Sequence, residues 1–307
     1  MFAGLKNMRT RSPHAARPEL PPEFDLATYA SHSDLKDLNE AELRAHWTLF
    51  GTKEGRVASP AALRENLIKL ISHERSVLEI GPFFRPTLKG PQVRYFDVLD
   101  TTSLIERAKL QGLDPGGVPH IDFVSPVGDL SVVDETFAAA ISAHAIEHQP
   151  DLIRHFLQVA ELLEPEGRYY LVIPDKRFCF DHPFAETTAA ELRVAHREGR
   201  IRHTLKSAME HFALATHNDP LRHWAGDHYE PHYLESIPGR VMGAVRAYED
   251  AGDGYLDVHA WQFTPNSTRA LLTELTESGD IPFTLDRVYQ TPRYRLEFTA
   301  VLTRTGT

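Results

Sequence analysis

Cysteine is almost missing from this chain: Cys179 is the only one in 307 residues. A single thiol excludes an internal disulfide and any zinc or iron–sulfur site built from several cysteines. No apolar run approaches the roughly 18 residues a membrane span requires. The basic stretch MFAGLKNMRTRSPHAARP at the N-terminus lacks the apolar h-region of a secretory leader. Positive charge is also in deficit, with 33 Lys and Arg against 43 Asp and Glu and a net charge of -10. That balance argues against nucleic acid as the main partner. What is present is an ordinary globular composition, 42% hydrophobic and 25% charged, long enough to bury one large core or two modest ones. The expected location is the cytoplasm, with no integral membrane segment.

Residues 1–22 read as a flexible lead, because Pro18, Pro21 and Pro22 oppose regular structure. Residues 23–57 read as a small helical module. Asn39 followed by Glu42 marks a helix start, Leu43, Trp47 and Phe50 share one face as core, and Gly51 closes the helix. Residues 58–307 form the main domain, which opens with an amphipathic helix over 60–72 carrying Leu63, Leu67, Leu70 and Ile71 on one face.

The main domain is organised around RSVLEIGPFFRPTLKGPQVRYFDVLD, residues 75–100. A β-favouring run (76–80) stops at Gly81-Pro82, and a second (93–96) stops at Asp97. Strand, glycine turn, strand and terminal acid is how doubly wound α/β domains begin a nucleotide site. Further strands are expected at 121–124, 137–142 and 168–173, with helices at 103–111 and 152–163, the latter closed by Glu164-Pro165-Glu166-Gly167. This alternation implies a mostly parallel sheet with right-handed crossovers. The stretch 181–260 is too long for an ordinary connection and reads as a helical insertion forming a lid or acceptor pocket. A helix (266–278) and an antiparallel strand pair (283–289 and 295–303) close the sheet. The absence of G-x-G-x-x-G after the first strand weakens a nicotinamide-binding reading.

The order VLEIG…FDVLD…FAAAISAHAIEHxPD…LLxPxGRxYLVIPD resembles class I S-adenosylmethionine-dependent methyltransferases. The resemblance implies a doubly wound, Rossmann-like sheet of seven strands, with S-adenosyl-L-methionine as cofactor and S-adenosyl-L-homocysteine as product. It places Glu79, Gly81 and Pro82 in the methionine-holding turn and makes Asp97 the ribose acid. Asp122, Phe123 and Asp129 fall near adenine, and Ser142 and His144 near the methyl. The turn departs from the family pattern, because Pro82-Phe83-Phe84 stand where further glycines are usual. A turn this bulky also fits a non-catalytic scaffold in a glycan-synthesis assembly.

The patterns V-I-P-D-K-R-F-x-F-D and D-V-H-x-W-x-F-T-P, with F-D-x3-Y and H-W-x3-G-x3-G-R in the N-terminal module, are similar to those of bacterial polysaccharide-synthesis enzymes. They imply O-methylation of a sugar or glycan-precursor hydroxyl, with a small-molecule or glycan acceptor as the partner. Such an acceptor benefits from a base near neutral pKa. His144 and His259 are the first candidates, followed by His148, His182 and His228. Asp175, Lys176 and Arg177 at the end of the fifth strand, together with His228 and Trp261, are the expected acceptor contacts. His144, Glu147 and His148 have the i, i+3, i+4 spacing of metal ligands on a helix, so a divalent metal is a second reading, less favoured than capping.

Overall fold

The computed structural model describes residues 17–252 and 254–306. Seven strands form one sheet: β1 (Val77–Ile80), β2 (Val93–Asp97), β3 (Phe123–Val124), β4 (Phe137–Ala143), β5 (Leu163–Pro174), β6 (Phe283–Val288) and β7 (Glu297–Arg304). Their order is β3-β2-β1-β4-β5-β7-β6. Strands β1 to β5 are mutually parallel, and β7 enters antiparallel between β5 and β6. Adjacent strands β1 and β4 are therefore left by the chain in opposite directions across the sheet. A crevice opens at such a switch point, outside the carboxyl ends of the strands.

Alternate side chains of each strand feed two apolar layers. Leu78, Ile80, Phe96, Ala140, Leu171 and Ile173 face the helices Leu152–Leu162, Ala189–Arg197 and Pro265–Glu277. Val77, Val93, Ala139, Ile141, Tyr170 and Val172 face the helix Arg64–Ile71 through Leu67 and Ile71. Asp151 caps Leu152–Leu162 by accepting the Arg154 N–H, and that helix passes straight into β5. The expected closing loop at 164–167 is instead the start of the strand, bent at Glu166 (φ +62°).

Residues 17–22, expected to belong to a flexible lead, lie against the sheet; residues 1–16 are outside the described part. The proline carbonyls are free to accept hydrogen bonds, and Pro18 O takes one from Arg168 while Pro21 O takes one from the Tyr289 hydroxyl (2.6 Å). Leu20 is buried beneath them. The N-terminal module packs Tyr29, Leu35, Leu43 and Ala58 around Phe24 and Trp47. Gly51 is required there, because a Cβ would collide with the Tyr29 hydroxyl. Phe50, expected in this core, is 53% exposed, since the helix widens over Trp47–Gly51 and turns it outward.

One buried histidine ties the helix Leu152–Leu162 to the sheet. His155 Nε2 lies 2.8 Å from the Tyr169 hydroxyl, which is 2.6 Å from Ser142 Oγ. Burial pushes the His155 imidazole down to about 3, so it folds neutral. The unfolded chain protonates it below about pH 6.5, so its contribution is complete above that pH and is lost as pH falls toward 3. In urea titrations, wild type should lose about 2–3 kcal/mol more than His155→Gln between pH 7 and pH 4.5, at about 1.4 kcal/mol per unit. Equal losses would contradict this account.

Candidate active site

The carboxyl ends of β1, β2 and β4 surround a cavity whose wall includes Gly81, Asp97 and His144. Gly81 is fixed by φ +74° and by its N–H donating to Phe96 O at 2.9 Å. A Cβ there would sit 3.2 Å from the Ala145 side chain, so glycine keeps the β1 turn against the segment that follows β4. Asp97 is 6% exposed at the end of β2. Its oxygens accept two long backbone contacts, from Leu99 N–H at 3.2 Å and Phe83 N–H at 3.4 Å. Burial raises its pKa against the pull of these N–H groups. An ionised carboxylate offers about four acceptor sites, so Asp97 retains capacity for donors arriving from the cavity. Phe83 forms part of the wall, whereas Phe84 stands edge-on to it and lies off the wall.

The insertion covers this cavity. Residues 201–203 and 254–257 contribute to the wall. Arg107, on the helix Thr101–Leu110, pairs with Asp257 and places its guanidinium 4.9 Å above the Phe83 ring and 5.9 Å from the Tyr255 ring. Burial works to raise Asp257, but His148 and Arg107 together hold it well below the usual carboxylate range. Burial likewise works to lower His148, and the Asp257 and Glu147 carboxylates outweigh it, so the imidazole is raised.

Several expected cofactor contacts lie off the cavity wall. Glu79 points to the opposite face of β1, where it accepts the Thr87 and Leu88 N–H groups at 2.5 and 3.0 Å. Pro82 stands beside Gly81 without reaching the wall. Asp122 accepts the Tyr95 N–H, Asp129 caps the turn Leu130–Val132, and Phe123 packs on the core. Ser142 is committed to Tyr169 below the cavity floor.

Among the candidate bases, His144 and His148 line the cavity. The expected helix through 144–148 is only the short turn Ile146–His148, and His144 precedes it in a left-handed conformation (φ +53°). That conformation turns its ring so that Nε2 lies 2.8 Å from Glu297. His259 is 6% exposed, lies off the wall, and shares a hydrogen bond between Nδ1 and Asp181 Oδ2 at 2.6 Å. Burial drives this imidazole down to about 3, so it is neutral, and the same burial lifts Asp181 to about 7.

The expected acceptor contacts are not gathered at one place. Asp175 is fully buried and accepts from Arg177 and from the Thr291 hydroxyl at 2.6 Å, and Lys176 donates to His182 O. His182 and His228 stack at 3.7 Å away from the main cavity. Trp261 lines a second cavity, which shares Pro150 and His203 with the first. The wall residues that motif reading missed, among them Arg107, His155, His203, Tyr255 and Asp257, come from helices and the insertion, where no local spacing marks them.

The Arg107 contacts make a specific expectation for the covering segment. A partly exposed ion pair and two ring contacts together contribute about 1 kcal/mol. Arg107→Ala should therefore speed amide hydrogen exchange over 254–258 by about fivefold to tenfold, with exchange in β4 unchanged. Unaltered exchange at 254–258 would show that this segment is held by other contacts.

No protein-family model and no curated protein sequence matches the chain. Solved structures similar to it are S-adenosylmethionine-dependent methyltransferases. One from Clostridium acetobutylicum is 9% identical, with 87% of this chain and 98% of that one covered and a TM-score of 0.40. One from Mesorhizobium loti is 15% identical over 79% and 98%, with a TM-score of 0.38. The CurJ carbon methyltransferase is 14% identical over 79% of this chain, which spans only 53% of CurJ, with a TM-score of 0.36. Likeness this distant adds nothing to what the strand order and the cavity residues say by themselves. No helix among the described residues is long and apolar enough to cross a membrane.

Proposed function

We propose that this protein is an S-adenosylmethionine-dependent methyltransferase that methylates a hydroxyl of a sugar or glycan precursor. The observation that carries the reading is Asp97: a buried carboxylate with spare acceptor capacity, at the end of β2, on the wall of a cavity at the sheet's switch point. A nucleoside ribose offers two vicinal hydroxyl donors, which suit such an acid. Val98, Leu104 and Val127 supply an apolar slot beside it for a flat base. The Gly81 turn lets backbone approach the amino-acid end, as a left-handed glycine permits.

When bound, S-adenosylmethionine supplies a methyl on a cationic sulfur for in-line transfer to oxygen, with S-adenosylhomocysteine leaving. The chain's own part is positioning and proton removal, which together account for much of the acceleration in such displacements. His144 and His148 line the cavity, which supports them as the groups that take the acceptor hydroxyl's proton. The second cavity supports an oxygen-rich acceptor, because Trp261 offers a ring face among Glu186, Lys206, Glu210 and Gln262. His203 sits where the two cavities meet, buried, with neither ring nitrogen hydrogen-bonded, and so has donors and acceptors free for a ligand. The glycan class itself comes from the sequence patterns around Asp175 and His259.

Calorimetry with S-adenosylhomocysteine tests the reading. Wild type should bind in the micromolar range, and Asp97→Ala should lose about 1.5–3 kcal/mol of affinity, as for hydrogen bonds to a charged group. No wild-type binding would remove the enzyme in favour of a scaffold, and unchanged affinity in Asp97→Ala would show that the ribose acid lies elsewhere.

A further inference from the structure

Glu147 follows the left-handed break at His144 and is fully buried, yet neither of its carboxylate oxygens has a hydrogen-bond partner. An uncompensated carboxylate in such a place costs several kcal/mol. Three imidazole nitrogens converge on its Oε1: His144 Nδ1 at 3.9 Å, His148 Nε2 at 4.0 Å and His259 Nε2 at 3.9 Å. These separations are too long for hydrogen bonds. They are close to the spacing of ligands around a common cation, since donors about 2.0–2.2 Å from a tetrahedral ion stand about 3.3–3.6 Å apart. The donor atoms of Glu147, His148 and His259 all lie within 4.8 Å of one another, and His144 stands outside that group.

The outer contacts point the same way. Two of the imidazoles hold their far nitrogen on a second carboxylate, His144 Nε2 on Glu297 at 2.8 Å and His259 Nδ1 on Asp181 at 2.6 Å, and Asp257 lies 3.2 Å from His148 Nδ1 without hydrogen-bonding it. Carboxylates behind histidines fix the ring and its tautomer with the near nitrogen's lone pair presented to a metal. The three acids come from β7 and from two distant parts of the insertion, so no local turn chemistry accounts for their arrival together.

We propose that Glu147, His148 and His259 form a site for one divalent transition-type cation beside the cavity. Two nitrogens and one carboxylate oxygen suit Zn2+, Mn2+, Fe2+ or Co2+, whereas Mg2+ and Ca2+ favour all-oxygen shells. His148 lines the cavity, so a position left open on the cation faces it. Resting on the methyltransferase reading, His148 then serves as a ligand and His144 remains as the base. The cation would draw charge from the acceptor oxygen and ease loss of its proton to His144 as the O–C bond forms and the C–S bond breaks.

The test uses the full chain, stripped with chelator and without nucleoside, so that it stands apart from cofactor binding. Zn2+ is titrated by calorimetry and Co2+ by visible absorption. One cation should bind per chain at low micromolar concentration or tighter, with Co2+ bands of a nitrogen–oxygen shell. Glu147→Gln and His259→Ala should each weaken it at least tenfold. His223→Gln, in the separate His182–His223–His228 cluster, should leave it unchanged. Circular dichroism checks that the variants fold, and should one fail to, the stoichiometry and spectrum of wild type decide. Absence of wild-type binding at 100-fold higher metal, or a cation that survives both Glu147→Gln and His259→Ala, overturns the proposal.

Discussion

Two neighbouring strands end at the same level of the sheet, Ile80 beside Ser142, and each is followed by a left-handed residue. Gly81 carries the chain up and away after β1, and His144 breaks the chain after β4. Were either segment to continue in extended form, it would run across the space the cavity occupies. A left-handed conformation costs a histidine about 1–3 kcal/mol, which the surroundings must over-determine. Here the ring contact with Glu297 on the antiparallel β7 does so. The insertion of β7 beside β5 is therefore part of how the cavity is built, because it carries that carboxylate to the end of β4.

Charge is buried around the cavity at a density that packing alone does not explain. Asp97, Glu147, Asp181 and His259 are all almost inaccessible, and Asp257 bridges His148 and Arg107. Removing such groups from water is unfavourable unless each finds a partner. Most do so across long sequence separations, which ties the insertion to the sheet and holds residues 254–257 over the opening. Asp97, Glu147 and one oxygen of Asp181 are left with unused acceptor capacity, and Asp97 lies on the cavity wall. Local underuse of polar groups within a well-packed frame marks a site whose remaining partners arrive from outside the chain.

Much of this architecture could be read from the chain. Short β-favouring runs alternating with amphipathic helices located β1, β2, β4 and β5, and Asp97, the last residue of β2, lies on the cavity wall. Side-chain parity decided which neighbours failed. Glu79 is adjacent in sequence to wall residue Ile80, but successive strand residues face opposite sides, and its carboxylate instead holds the 87–88 backbone. Asp129 is drawn away by a capping role that Asp commonly takes. The carboxylates behind the histidines were not legible, because Asp181, Asp257 and Glu297 meet their imidazoles only after the insertion folds back and β7 pairs with β5. The prolines before residue 23 misled for a related reason: their free carbonyls found Arg168 and Tyr289, which no local pattern announces.

The claim on which the functional account turns is that a nucleoside lies in the switch-point cavity with its ribose on Asp97. A crystal structure of the protein grown with S-adenosylhomocysteine tests this most directly. The account predicts both ribose hydroxyls within hydrogen-bond distance of the Asp97 carboxylate, the base between Val98 and Val127, and the sulfur facing His144 and His148. Density for the nucleoside at any other place, with the Asp97 carboxylate still contacted by the Leu99 and Phe83 N–H groups alone, would contradict it.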